Sequence, residues 1–592
     1  MKIHNLPSED LYVHTDKDVY FAGDRLFFKV YLLSGSSREN ELQSRVMYLS
    51  LAGADGAIVN KLELYFRDET AVGSVLIADT LKTGMYQLSA WTNTMLIAET
   101  PVFARQIVVL NRFDAEIRSF MMEHTAFPLE ESAGGEEDTL EVVPGRLFLP
   151  SGSTKPPVAP EGFGSVGGQG LILRTDKDIY GNRELVSLQF EQSDALSEVA
   201  SASISVSREE SLLLNAPNAR SLVAEPDRLP ADYYRVPKRP YANRQPHMLI
   251  LPENHGPVVS GRVVDSRTGD PVSETAVFLS AVDTLTNLKY SHTKADGSFF
   301  FLLDDYHQGK TLYISVYGDG RTLDTHRLVL REKFQPAPFT PLKIITHPHI
   351  HAYLEEALLV KRVQRAYRTE ALGLTAIERG TAVSPPPVLY HTPTHTIRMA
   401  NYLPLDNLLE IANEIVPNLR IREQGGRFIA RMINSRSAVF FADAPIFFMN
   451  GVWVPDIDEL AALSSDDISR IEVLSRPWLF GNLAFFGIAS IFKQGDLHDI
   501  PVHSGARRIQ GNPIPEVFAF DPLLHAGAEP SPANTPDFRE TLFWDPEMAL
   551  ENGRLSDLTF STGDLPGRYS IKVEGLTKSG MPFSQTNTIT VE

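Results

Sequence analysis

Thr15-Asp16-Lys17-Asp18-Val19-Tyr20 leads into a segment in which Leu26, Phe28, Val30 and Leu32 occupy alternate positions. The same phrase returns 160 positions on as Thr175-Asp176-Lys177-Asp178-Ile179-Tyr180, again ahead of an alternating segment, Val186 to Phe190. Alternation with period two indicates a strand with one buried face. A phrase repeated in the same strand context marks two copies of one unit. Its charged residues are expected to form a turn entering the next strand. A second repeat aligns Val75–Tyr86, with Gly84-Met85-Tyr86, on Leu558–Tyr569, with Gly567-Arg568-Tyr569. The opening at Thr175 has no clear closing half before Pro217, and the closing half at Leu558 has no opening nearby. The expectation is one split sandwich made of residues 169–212 and about 537–592, with everything between inserted into it. That arrangement requires Val186 and Ile571 to share a core.

The chain has 592 residues, 43% hydrophobic and 22% charged, enough for several cores. Its formal net charge of −19 opposes binding to phosphate backbones, so nucleic acid is not an expected partner. With no cysteine, disulfides, thiolate metal sites, thioesters and cysteine nucleophiles are excluded. No apolar run approaches the ~18 residues of a membrane helix. Met1 to Pro7 lacks the apolar core of a signal peptide, so the protein is cytosolic or a signal was removed before this numbering.

Read for organisation, the chain is mainly β and multidomain. Residues 1–113 form a first sandwich and 114–168 a linker rich in Gly, Pro, Ser and Glu. Residues 169–255 hold the second opening and another Pro-rich stretch. In 256–332, Gly261 to Asp265, the Gly269-Asp270-Pro271 turn, Ala276 to Leu279 and the Asp296-Gly297 turn into Phe299 read as a compact sandwich. Residues 333–395 form a helical connector, with a helix over His351–Leu372. Residues 396–495 are a mixed α+β block, with Asp406 capping a helix through Val416 and Asn450-Gly451 turning into Val452. Residues 496–592 supply a connector and the closing strands. Ala202, Ile204 and Val206 alternate with Ser201, Ser203, Ser205 and Ser207, as in a half-buried strand.

Three resemblances follow from these residues. The Thr-Asp-Lys-Asp-x-Tyr opening with Gly23, and the Gly567-x-Tyr569 ending, resemble the macroglobulin-type (MG2-type, Ig-like) sandwich of α-macroglobulin-like proteins. Ser260 to Asp265, through Asp296-Gly297-Ser298-Phe299, resembles the carboxypeptidase regulatory-like domain, a transthyretin-like sandwich that is normally non-catalytic. Ala444 to Val452, Asp467 to Leu474 and Gly487 to Ile491 resemble the plug domain of TonB-dependent receptors. The order resembles envelope proteins of Bacteroidota, which implies export to the periplasm or outer membrane and removal of a signal peptide. The cysteine-free chain lacks the macroglobulin thioester. Roughly 100 residues follow Ile491, too few for a receptor barrel.

Candidate chemistry is sparse. His347, His349 and His351 alternate; on a strand they would project to one side and could share a metal, with Glu355 or Glu356 adding an oxygen. Gly162 to Gly167 matches a dinucleotide fingerprint but lacks its strand-before, helix-after context. Glu130-Glu131, Glu136-Glu137-Asp138 and Asp304-Asp305 read as solvated charge. In the α+β block, Trp453, Trp478 and Phe480 are candidate partner-binding anchors, with Arg470 and Arg476 as a polar rim. No cofactor is expected. The expected role is a non-enzymatic scaffold or accessory subunit binding outer-membrane or periplasmic proteins. The alternatives are an accessory part in TonB-dependent transport and a metal-dependent hydrolase using the three histidines.

Overall fold

The computed structural model describes residues 9–34, 43–115, 117, 170–193, 198–215, 250–318, 320–334, 339, 349–377, 385–503, 506–511, 515–525 and 535–592. The fold is mainly β. In the first sandwich, strands Glu9–Thr15, Arg25–Ser34 and Thr70–Leu76 form one sheet. Val19–Phe21, Phe103–Leu110, Gly84–Trp91, Val46–Gly53 and Ile58–Tyr65 form the other, in that spatial order. The inward residues of the alternating strands, among them Leu26, Phe28, Val30, Leu49, Leu88 and Ile107, make its core.

The second sandwich reproduces the first strand for strand. Leu171–Thr175, Leu185–Gln192 and Leu558–Ser561 form its small sheet. Ile179–Tyr180, Pro582–Val591, Gly567–Thr577, Val199–Arg208 and Thr541–Asp545 form its large one. In both copies the short strand after the charged turn pairs parallel with the last strand. In both, the tyrosine of the Gly-x-Tyr phrase donates to a carbonyl four residues back: Tyr86 to Lys82 at 2.9 Å and Tyr569 to Leu565 at 2.8 Å. Val186 and Ile571 lie in one core. The chain leaves this sandwich after Arg208 and returns at Thr541.

A third sandwich stacks Ser298–Leu302, Val258–Asp265 and His326–Leu330 on Lys289–His292, Ala276–Ala281, Leu312–Val316 and Ala506–Ile509. Its last strand comes from beyond the α+β block, so that block is itself an insertion. The block's sheet runs His395–Arg398, Ile468–Phe480, Leu483–Lys493, Ile446–Met449 and Val452–Val454, with a hairpin of Leu419–Gln424 and Arg427–Met432 alongside.

Several local expectations are corrected. The connector helix is His349–Tyr367 rather than His351–Leu372; Arg368, just past its end, has φ +57°, outside helical geometry. Tyr353, Leu354 and Ala357 bury against Val19, Met85 and Val108 of the first sandwich. Asn407, not Asp406, caps the block's helix: its side chain accepts from the Glu410 amide at 2.9 Å. That helix is one turn, Leu408–Glu410, followed by a π-turn over Ile411–Ile415, which still buries Ile411 and Ala412. Asp456–Leu463, which reads in sequence as a short helix, forms only a single 3-10 turn, Ile457–Glu459, capped by Asp456. The acidic clusters at Glu130 and Glu136, and the Gly162–Gly167 motif, lie outside the described residues.

Candidate partner-binding surface and the junctions behind it

Polar faces hold the first two sandwiches together. Ser203, Ser205 and Ser207 are buried, although they alternate with the apolar core positions of their strand. Facing them are Tyr12, His14, Lys29 and Tyr31. The His14 ring nitrogens lie 2.7 Å from Ser203 Oγ and 3.1 Å from Ser205 Oγ. The Tyr31 hydroxyl contacts Ser203 at 2.7 Å and donates to the Glu574 carbonyl at 2.8 Å; Tyr12 donates to the Glu574 carboxylate at 2.9 Å. Lys29, fully buried, donates to the carbonyls of Pro546 at 2.6 Å and Ala202 at 3.1 Å. Burial pushes the His14 imidazole down to about 3 against the opposing pull of Glu574, so it sits there neutral. A buried polar face is tolerated only when its groups are paired, and these groups find partners across the junction.

The charged turn is part of this junction. Asp16, Lys17 and Asp18 are all buried. Asp16 accepts from Tyr20 at 2.8 Å and the Phe27 amide at 3.0 Å, and from Thr541 of the second sandwich at 2.9 Å. Burial raises its carboxyl to about 6 despite the neighbouring Lys17. The Lys17 ammonium bridges Asp24 at 2.8 Å and Glu540 at 3.0 Å. Arg105 pairs with Asp18, its Nε at 2.9 Å. In the second copy the local bonds recur, with Tyr180 donating to Asp176 at 2.8 Å and the Ser187 amide to Asp176 at 2.8 Å. Yet Asp176, Lys177 and Asp178 are exposed. The positions equivalent to Tyr12, His14, Lys29 and Tyr31 are Ile172, Arg174, Gln189 and Glu191, and Arg174 pairs with Glu191 on the surface. That sheet face is built for water, not for a further sandwich.

The proposed anchors of the α+β block divide by position. Trp453 is enclosed between the block and the third sandwich, its ring 5.4 Å from Phe278, 5.3 Å from Tyr317 and 5.5 Å from His503. It is unavailable to an outside partner without opening that junction. Arg470 is held by Glu472 at 2.9 Å, stacks over Phe492 at 3.8 Å and donates to the Thr284 carbonyl at the same junction. Trp478, Phe480 and Arg476 are half-buried near the end of the long hairpin. Phe480 packs on Tyr290 at 5.4 Å, and Arg476 lies 5.6 Å from the Trp478 ring. The turn residue Gly481 has φ +61°, and a Cβ there would meet the Tyr290 hydroxyl at 1.8 Å, so only glycine fits. Anchored in this way, the hairpin end turns Leu479 outward, 74% exposed. Leu479 was missed because its neighbours are larger aromatics; its place beside a Gly-Asn turn was the available signal.

The three histidines do not share a strand. His349 and His351 belong to a helix instead of an extended segment, and His347 lies outside the described residues. Asp304 accepts from His307 at 2.6 Å and pairs with Lys289 at 3.1 Å, so this member of the Asp304-Asp305 pair is held within the third sandwich. Among the described residues no group of three or more His, Asp or Glu is arranged to hold a metal. Nor is any helix there long and apolar enough to cross a membrane.

No protein-family model and no curated protein matches the chain. Among solved structures it is similar to Salmonella α-2-macroglobulin reacted with methylamine, at 8% identity and TM-score 0.23. It is also similar to the native conformation of Escherichia coli α-2-macroglobulin, at 10% identity and TM-score 0.23. Each match covers 100% of this chain and 40% of the other, so the chain spans less than half the length of those proteins. TM-scores of this size do not establish a common architecture.

Proposed function

We propose that the chain is a non-enzymatic scaffold of the cell envelope that binds partner proteins through the end of the Ile468–Phe480/Leu483–Lys493 hairpin. The observation that carries this reading is the outward Leu479, flanked by half-buried Trp478 and Phe480 on a hairpin braced by Tyr290. An apolar residue presented on a rigid, aromatic-rich element suits an interface anchor. The interlocked sandwiches support a spacing role: the second and third sandwiches are each completed by a strand from beyond an insertion, and buried polar groups join the first sandwich to the second. The envelope location, the plug-like character of residues 396–495 and the division into seven segments given above rest on the sequence resemblances.

The test is affinity purification of the wild-type chain and of Leu479→Glu from envelope fractions of the native cells. The reading predicts a stoichiometric envelope partner with the wild type and its loss with the variant at unchanged thermal stability. Equal recovery with both would contradict it. A barrel protein as the partner would favour the transport-accessory version, in which the block engages a separate outer-membrane barrel.

A further inference from the structure

We propose that the cleft between the first and third sandwiches binds an organic phosphate carried on a hydroxyl-bearing body, such as a phosphorylated sugar. The cleft has a volume of about 830 Å³, within the size range of small-ligand sites. Its walls are the edge strand Ile58–Tyr65 with the following turn, the start and end of the third sandwich's chain, and residues 508–511 with Pro515 and Val517. Seven of its lining residues are Lys or Arg and four are Asp or Glu, an inverted balance on a chain of net charge −19. Focusing of like charges in a cleft raises the local concentration of the opposite sign.

The cations are not all committed to neighbours. Lys333 pairs with Glu63 at 2.9 Å, and Lys310 with Asp283. Arg45, Arg67 and Arg508 are exposed on the cleft wall and have no carboxylate partner among the described residues. Three guanidinium groups offer planar pairs of donors suited to phosphate oxygens. A second observation concerns His307, which lines the cleft and is 4% exposed. Its Nδ1 is bound to the Asp304 carboxylate at 2.6 Å, which fixes the proton on that nitrogen. Its Nε2 is buried and without a hydrogen-bond partner among the described residues. A buried acceptor left open calls for a donor. A sugar hydroxyl supplies one and bare phosphate at neutral pH does so poorly, hence the polyol body. Tyr65 and Phe334 add aromatic faces to the same wall.

The experiment is calorimetric titration of the full chain with glucose 6-phosphate, glucose, inorganic phosphate and a tetra-glutamate peptide at low ionic strength. Glucose 6-phosphate is expected to bind, and the double variant Arg67→Ala/Arg508→Ala to weaken it at least ten-fold. The matched variant Arg174→Ala/Arg554→Ala removes the same charge from the second sandwich and is expected to leave binding unchanged. Loss of binding in both variants would reduce the effect to overall charge and overturn the site. Equal or tighter binding of inorganic phosphate, or of the peptide, would overturn the ligand class, and no binding of glucose 6-phosphate would overturn the proposal. Vesicles bearing a phosphorylated glycolipid, compared with plain vesicles, then assign the source: retention on the former alone identifies a lipid-borne group, and no retention a free one.

Discussion

The internal repeat supplies a stability experiment with its own control. Lys17 and Lys177 stand 160 positions apart in the same phrase and each pairs with a carboxylate seven residues on, Asp24 or Glu184. Lys17 is 5% exposed and also bridges to Glu540, while the Lys177 side chain is 53% exposed. Replacing Lys17 with methionine keeps the stem and removes the charge. Asp24 retains Lys361 at 2.7 Å, but Glu540 is left with the Tyr353 hydroxyl at 2.8 Å as its side-chain donor among the described residues. Removing one member of a buried ionic network costs about 3–5 kcal/mol, because a buried charge loses its compensation. For a cooperative unit of two sandwiches, this lowers the unfolding midpoint by about 6–20 °C. Lys177→Met removes a solvent-screened pair and is expected to shift the midpoint by no more than about 2 °C. Differential scanning calorimetry of both variants provides the comparison. Equal shifts would refute the argument that docking of the second sandwich is what makes the first turn structural.

Three further outcomes are expected. Because the folded His14 value lies near 3, below the ~6.5 of an unfolded chain, its contribution is complete above pH 6.5 and is lost as the pH falls toward 3. The stability gap between wild type and His14→Gln should therefore narrow by up to about 1.4 kcal/mol per pH unit below 6.5. The opposite-signed titration of Asp16 is present in both proteins and cancels, so a pH-independent gap in urea unfolding would refute this. Trp453→Ala should cost about 3–5 kcal/mol at the block–third sandwich junction, read as faster amide exchange across Ile446–Met449 and Ala276–Ala281 with the first sandwich unaffected. Leu479→Glu should leave the unfolding midpoint unchanged, since its side chain is mostly in solvent; a fall of several degrees would place Leu479 in a packed contact instead.

Strand periodicity and the two repeats were readable because period-two burial leaves a direct trace in residue order. The alternation of Ile204 and Val206 with Ser203 and Ser205 identified two faces of one strand. It could not say that the serine face meets another sandwich instead of water, because hydroxyls suit both. The same limit hid the burial of Asp16-Lys17-Asp18: Asp176-Lys177-Asp178 carries the same letters and is exposed. What differs is Thr541 and Glu540, more than 500 residues away in sequence. Ala506–Ile509 joins the third sandwich by pairing with Leu312–Ser315, a contact four residues are too short to announce. At the candidate site, the aromatic density was legible, but its division into an enclosed Trp453 and a presented Leu479 depends on the third sandwich packing behind the block. The histidine alternation misled because Leu354, Ala357 and Leu358 pull the segment into helical periodicity from His349 onward.

The scaffold reading places another envelope protein against the hairpin end. It is tested most directly by placing a photocrosslinking residue at position 479 and irradiating intact native cells. A discrete crosslink to an outer-membrane or periplasmic protein is expected, absent when the crosslinker is placed instead at Gln189 on the solvated face of the second sandwich. Crosslinks only to cytosolic proteins, or an identical pattern from both positions, would contradict it.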